Sequence, residues 1–441
     1  MIITSILNSK PSADLSPADA SNLGVLQNFW ASCTDEQAVE SAGLAPLLDV
    51  VDEIVSAWRG PTHVAGSLVV QADGQHASVK PKKAPRWDPD TAVERLTNVL
   101  SFLHSRAIPA LFDASAAGDV KVDPAKQVLW VAQAELGLPA KDYYKEKDVV
   151  QLYTSTLARL LDSVYGERGE KGVDADALAA EVVAFESALA EISLDPEALE
   201  DPQTTYNPRT QAELKDLFPV VSFPNYFASF TPRPDYPKTI INSPEYLASL
   251  AGLVVDAEPE TLEAYFIARA SQVYGPLLGT KTVVRQQVDA LANFLTGVPA
   301  GVRKPRSDTC LASLSSALGF SAGRFFVREA FPGESKDKAE EIIHAILGAF
   351  KDRLPELEWL DDATRSKAAE KADAFDVKVG YPKYPDTDNP EAIARYYSIN
   401  LPVLKDDYFG NVLRARLADQ RRMWVTVGQL RNKVRWGVRC V

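Results

Sequence analysis

The chain has 441 residues, a formal net charge of −13 at pH 7, 46% hydrophobic and 24% charged residues. That length can hold two or three compact domains with a sizeable core, and the composition is that of a globular protein, not a disordered or fibrous one. The acidic excess argues against nucleic acid as a partner, because backbone affinity rests on Lys and Arg neutralising phosphates.

The chain opens on "MIITSILNSK" (1–10), an apolar start with no basic n-region and no full h-region, so no signal peptide is read there. Charges interrupt every apolar run within about ten residues, and no transmembrane segment is expected. Amphipathic stripes predict helices over 36–57, 90–106, 148–165, 174–192, 260–275 and 282–297. Strand signals are few: "HVAGSLVVQA" (63–72) alternates loosely, and "QVLWVAQA" (127–134) is rich in β-formers. Proline-bearing loops are expected at 81–90, 201–210, 222–237 and 381–392.

In "SKDKAEEIIHAILGAFKDRL" (335–354), Ala339, Ile342, Ile343, Ile346, Leu347, Phe350 and Leu354 form one helical stripe. Ser335 is placed to cap its start, and Lys351 and Arg353 sit in its last turn. In "LEWLDDATRSKAAEKADAFDVKVGYP" (357–382), Leu360, Thr364, Ala368, Ala372 and Phe375 share a face. Asp361 or Asp362 can cap that helix, and Gly380 with Pro382 supplies a stop. Trp359, Ala368, Ala372 and Phe375 are expected to pack a core. The fold expected is mainly α with a minor β component.

The candidates for chemistry are sparse. The histidines are His63, His76, His104 and His344. A thermolysin-type zinc helix needs His-Glu-x-x-His, which puts two ligands on one helix face with the Glu as base; no pair of these histidines has that spacing. Glu341 and His344 form a Glu-x-x-His pair, but a di-iron site needs a second such pair and two further glutamates. A surface His beside an apolar stripe is the plainer reading. "GFSAG" (319–323) matches a nucleophile elbow around Ser321, yet the preceding "CLASLSSAL" reads as helix where the mechanism demands a strand. The alternative is that Gly319 and Gly323 allow close packing of helical segments. "GPLLGTKT" (275–282) resembles a phosphate loop with the wrong spacing around Lys281. Cys33, Cys310 and Cys440 allow one disulfide at most and no four-thiolate zinc site. From the residues alone, no catalytic or metal-binding set is assigned.

Read in order, several blocks resemble the neprilysin and endothelin-converting-enzyme family of zinc metalloendopeptidases. They are "NFWASCTDEQAVESAGLAPLLDVVDEI" (28–54), "LHSRAIPALF" (103–112), "LGLPAKDYY" (136–144), "FESALAEIS" (185–193), "YNPRTQAELKDLFP" (206–219) and "INSPEYL" (241–247). "RSDTC" (306–310) and "LGFSAGRFFV" (318–327) continue the series. A signature then follows, carried by Trp359, Asp361, Thr364, Arg365, Ala368, Lys371, Lys378, Gly380, Tyr381 and Pro382, and after it "DYFGNVLRARLADQRRMW" (407–424).

The resemblance implies the N-terminal, lid-forming half of such an enzyme over 1–436, possibly cut short at its start, with a divergent tail at 437–441 after Trp436 and Gly437. The thermolysin-like catalytic domain, its zinc ligands and its substrate-backbone clamp are expected beyond this stretch, so the chain reads as a fragment that binds no cofactor and is inactive alone. The full-length family hydrolyses peptides with zinc, by attack of Glu-activated water on a polarised carbonyl. Its members are extracellular, or membrane-anchored with an extracellular ectodomain; this chain shows no localisation signal of its own. The family also implies a Cys33–Cys310 disulfide closing a loop of about 280 residues, worth roughly 4–5 kcal/mol in the chain-entropy picture. Cys440 receives no role. The alternative function is a non-catalytic pseudoenzyme that binds peptides or proteins.

Overall fold

The computed structural model describes residues 2–10, 12–60, 89–231, 236, 238–331 and 333–432. The expected strand at 63–72, His63, His76, most of the 81–90 loop, Trp436, Gly437 and Cys440 lie outside the described residues.

In chain order the helices begin with α1 (Ile2–Asn8), α2 (Pro17–Thr34), α3 (Glu36–Ala42), α4 (Ala45–Arg59) and α5 (Pro89–Ser105). A hairpin follows, β1 (Phe112–Asp119) and β2 (Asp123–Gln133), then α6 (Lys147–Glu167), α7 (Ala175–Ile192), α8 (Pro196–Leu199) and α9 (Pro202–Thr205). Next come β3 (Asn207–Arg209), α10 (Gln211–Leu217), α11 (Phe223–Ala228), β4 (Thr239–Ile241), α12 (Pro244–Asp256), α13 (Pro259–Tyr274) and α14 (Val283–Leu295). The last are α15 (Arg306–Ala330), α16 (Ser335–Arg353), α17 (Asp362–Asp373), α18 (Pro390–Tyr397) and α19 (Tyr408–Trp424). The fold is mainly α with one small sheet, as the periodicity indicates.

The chain forms two compact units. The first takes its described residues from 1–34, 304–407 and 432–441; the second comprises 35–303 and 408–431.

The second unit holds the sheet, in the order β1-β2-β4-β3. β1 and β2 are antiparallel, β2 and β4 parallel, and β3 and β4 antiparallel. Its centre is aromatic. Phe112, Phe218, Phe223, Tyr226 and Phe227 are buried and contact one another edge-on or tilted. Trp424 of α19 stacks on Phe230 with centroids 4.5 Å apart, so a segment distant in sequence completes this core. Around it α6 packs on α7, and α13, with nearly every residue buried, runs through the middle.

The first unit is built on α2 and α15. Leu23, Leu26, Phe29 and Cys33 of α2 are buried, as are Cys310, Leu314, Leu318 and Phe325 of α15. α18 adds Ile393 and Tyr397, and α1 adds Leu7. Asp19 accepts from the Arg324 guanidinium at 2.7 and 3.1 Å, and that contact holds its carboxyl below the usual carboxylate range against the opposing effect of burial. Arg324 also donates to the Thr387 carbonyl at 2.6 Å, so one half-buried cation ties three segments of the unit together.

Several local expectations change. The 36–57 stripe is two helices, because Gly43 at φ +56° breaks it. The 201–210 loop contains α9 and β3, and 222–237 contains α11; prolines in the first turn (Pro202 first, Pro224 second) start these helices. Ser335 is the first helical residue of α16, not its cap. Asp361 does cap α17, accepting from the Thr364 amide at 2.7 Å, but the helix ends at Asp373, before Gly380. Trp359 and Phe375 are 78% and 59% exposed, so of the residues expected to pack a core only Ala372 is fully buried.

Asp19→Ala would leave the half-buried Arg324 without its buried carboxylate partner. We expect a loss of about 3 kcal/mol in the urea transition of the first unit. A change below about 0.5 kcal/mol, typical of surface substitutions, would contradict the clamp.

Candidate functional site

The residues that suggested catalysis do not assemble. Glu341 and His344 are both exposed on α16. Among the described residues no group of three or more His, Cys, Asp and Glu side chains could hold a metal ion.

Ser321 lies inside α15, its residue only 3% exposed, on a helix and not on a strand-to-helix turn. The surrounding "GFSAG" marks a kink. Leu318 leaves helical geometry at φ −136° and ψ 28°, which opens the backbone ladder there. The Phe320 amide donates instead to the Tyr397 hydroxyl at 3.0 Å. A Cβ at Gly319 or Gly323 would meet no atom within 4 Å, so these glycines do not mediate the close packing proposed for them. A serine-hydrolase elbow is overturned.

The "GPLLGTKT" segment binds an anion of its own. The Glu40 carboxylate accepts from the Thr280 amide at 2.5 Å, the Thr280 hydroxyl at 2.7 Å and the Lys281 amide at 3.2 Å. These bonds outweigh partial burial and hold the Glu40 carboxyl below its ordinary value. Gly279 is required, because any Cβ there would run into Glu40.

Two blocks that carried the family resemblance meet in a second buried cluster. Glu186, from "FESALAEIS", accepts from the Tyr153 hydroxyl at 2.7 Å and the Tyr144 hydroxyl at 3.0 Å. Gly137, from "LGLPAKDYY", lies so close that a Cβ would strike Tyr153 and Glu186. Burial raises the Glu186 carboxyl above its ordinary value, opposed by Arg269 and the two tyrosines. Arg269 in turn donates to the carbonyls of Pro109 and Glu135 at 3.1 Å each.

A third cluster belongs to "LHSRAIPALF". His104 meets the Ala110 carbonyl through Nε2 at 3.0 Å and the Tyr226 hydroxyl through Nδ1 at 2.6 Å. A carbonyl can only accept, so Nε2 carries the proton and neutral Nδ1 accepts from Tyr226. The bond pins a tight turn in which Ala107 and Leu111 take positive φ. Burial pushes the imidazole down to about 4. These clusters hold backbone and offer no accessible reactive atom. Their polar residues went unassigned in the sequence because the partners lie far apart along the chain.

The remaining candidate is the cysteine pair. Cys33 and Cys310 form a disulfide, with Cα atoms 5.7 Å apart and both residues fully buried. Arg306 Nε donates to the Cys33 carbonyl at 2.8 Å and ties the same two helix ends again. Cys33 stands just before the chain leaves the first unit at Thr34, and Cys310 stands shortly after its return at Lys304. The bridge therefore joins α2 to α15 across the insertion of residues 35–303.

The model of peptidase family M13 matches residues 1–382. The chain is 27% identical over 425 residues to an endothelin-converting enzyme homolog of Locusta migratoria, covering 93% of this chain and 53% of that protein. It is also 27% identical over 425 residues to endothelin-converting enzyme 1 of Bos taurus, covering 93% and 51%. Its fold matches the Mycobacterium tuberculosis zinc metalloprotease Zmp1, solved with an inhibitor, at a TM-score of 0.76 and 23% identity, covering 99% of this chain and 58% of that one. At that identity the likeness shows the fold alone. The chain spans about half the length of the curated relatives it matches.

Two measurements test these assignments. Denatured, unreduced protein should show one free thiol per chain, and reduction should bring the count to three, the chain's full cysteine content; three thiols before reduction would contradict the bridge. The second concerns His104, whose folded value lies below its unfolded one. The unfolded state therefore takes up the proton first as pH falls, and stability present above about 6.5 drains away down to about 4. That span carries about 3 kcal/mol. Urea titrations should show this slope in the wild type and not in His104→Gln; equal slopes would contradict the assignment.

Proposed function

This chain belongs to peptidase family M13, and on that premise we propose that it is the lid-bearing, non-catalytic N-terminal region of a zinc metalloendopeptidase. The observation that carries this reading is a coverage mismatch. The match runs over 93% of the chain but only 53% and 51% of two relatives, and the chain's four histidines include no His-Glu-x-x-His. On this reading residues 1–436 form the lid-bearing region and 437–441 a divergent tail.

The whole enzyme hydrolyses peptides, with zinc held by ligands outside this stretch. The part played by this region is to shape access to the reaction centre. The Cys33–Cys310 bridge favours an oxidising compartment, in keeping with the extracellular placement that the family resemblance implies. One described helix, Arg306–Ala330, is long and apolar enough to cross a bilayer. Its Cys310 bridge and its Arg324–Asp19 ion pair support a role as a core helix of the first unit.

The purified 441-residue chain should hold no stoichiometric zinc and show no chelator-sensitive cleavage of peptides. One zinc per chain together with such cleavage would overturn the non-catalytic reading. Tight peptide binding without turnover would favour a pseudoenzyme.

A further inference from the structure

α16 stands apart from the other described helices of eight or more residues. None of its residues is buried, whereas each of the others buries at least one, down to Ala372 in α17. Its apolar stripe is divided along its length. Ala339, Ile343 and Leu347 are half-buried, while Ile342, Ile346 and Phe350, spaced one turn apart, are 60%, 63% and 48% exposed. Lys351 pairs with Asp373 at 2.6 Å, which sets the turn bearing Phe350 beside the end of α17, where Phe375 is also exposed.

A helix of this kind is marginal in water and gains its stability by covering an apolar face. A run of large exposed side chains at helical spacing marks an interaction surface. Within its unit α16 packs on α17 and on the 3-10 turn Leu354–Glu356, which leaves the Ile342–Ile346–Phe350 edge uncovered. Phe326, Trp359, Tyr384, Ile399, Leu401 and Leu404 are exposed in this unit as well.

α16 lies within the matched residues 1–382, and the relatives carry about as much chain again beyond the matched half. We propose that the Ile342–Ile346–Phe350 edge of α16 is the seat on which the unmatched portion of an M13 peptidase docks. This rests on the reading of the chain as one region of a larger peptidase and assigns the contact surface within it. The partner it fits is an apolar surface of that portion, which would meet three side chains in line along one helix edge.

The test is hydrogen exchange on the full chain, alone and mixed with a polypeptide comprising the part of the Locusta migratoria homolog that the chain does not match. Exchange across 342–350 should slow about tenfold or more on mixing, as exposed backbone enters a protected element. Ile346→Glu should abolish that protection and the binding while leaving circular dichroism and thiol count unchanged. Binding with unchanged exchange at 342–350 would overturn the seat and leave the proposed function standing. Protection that rises with the chain's own concentration would assign the edge to a second copy and overturn it. So would absence of binding. Zinc-dependent cleavage by the chain alone is the separate result that would remove the underlying reading.

Discussion

The Cys33–Cys310 bridge is the constraint on which the rest of the structure depends. A chain that leaves one compact unit at Thr34 and returns at Lys304 must hold that unit together across a long excursion. α2 and α15 come from either side of the insertion, and their packing alone would have to meet the entropy of closing it. The covalent link removes much of that entropy from the unfolded chain. The Asp19–Arg324 pair and the Arg306 contact to the Cys33 carbonyl then fix how the two helices meet.

The inserted unit solves a different problem. Three of its acidic or imidazole side chains are each satisfied against a specific stretch of backbone or a tyrosine. Glu40 neutralises the amides of a loop, Glu186 takes two hydroxyls, and His104 bonds a carbonyl and a hydroxyl. Buried groups of this kind are costly if left unpaired, and when paired they select one arrangement of the surrounding segments. That gives a physical account of three of the family blocks, "LHSRAIPALF", "LGLPAKDYY" and "FESALAEIS": they are nodes of packing.

Much of the helical fold was legible in the sequence, because 3.6-residue periodicity survives in long helices such as α6, α7 and α13. The breaks were less legible. Gly43 splits one expected helix, and proline-rich stretches read as loops turned out to start short helices, since proline is compatible with a first turn. The "GFSAG" pattern matched an elbow only literally, with helix packing the plainer reading, and is neither, because its meaning depends on Tyr397, which lies 77 residues from Phe320. Trp359 and Phe375 were expected inside by hydrophobicity and lie outside, since a stripe says which face is apolar and not what covers it. The disulfide followed from the resemblance, as three cysteines alone leave the pairing open.

The most direct test of this account is hydrogen exchange on the oxidised and the reduced protein. The account predicts that reduction strips protection from residues 12–34 and 306–330 while the aromatic core of the inserted unit, including 218–230 and 408–424, stays protected. Equal loss of protection in both units, or no loss at α2 and α15, would contradict the claim that the bridge secures the first unit.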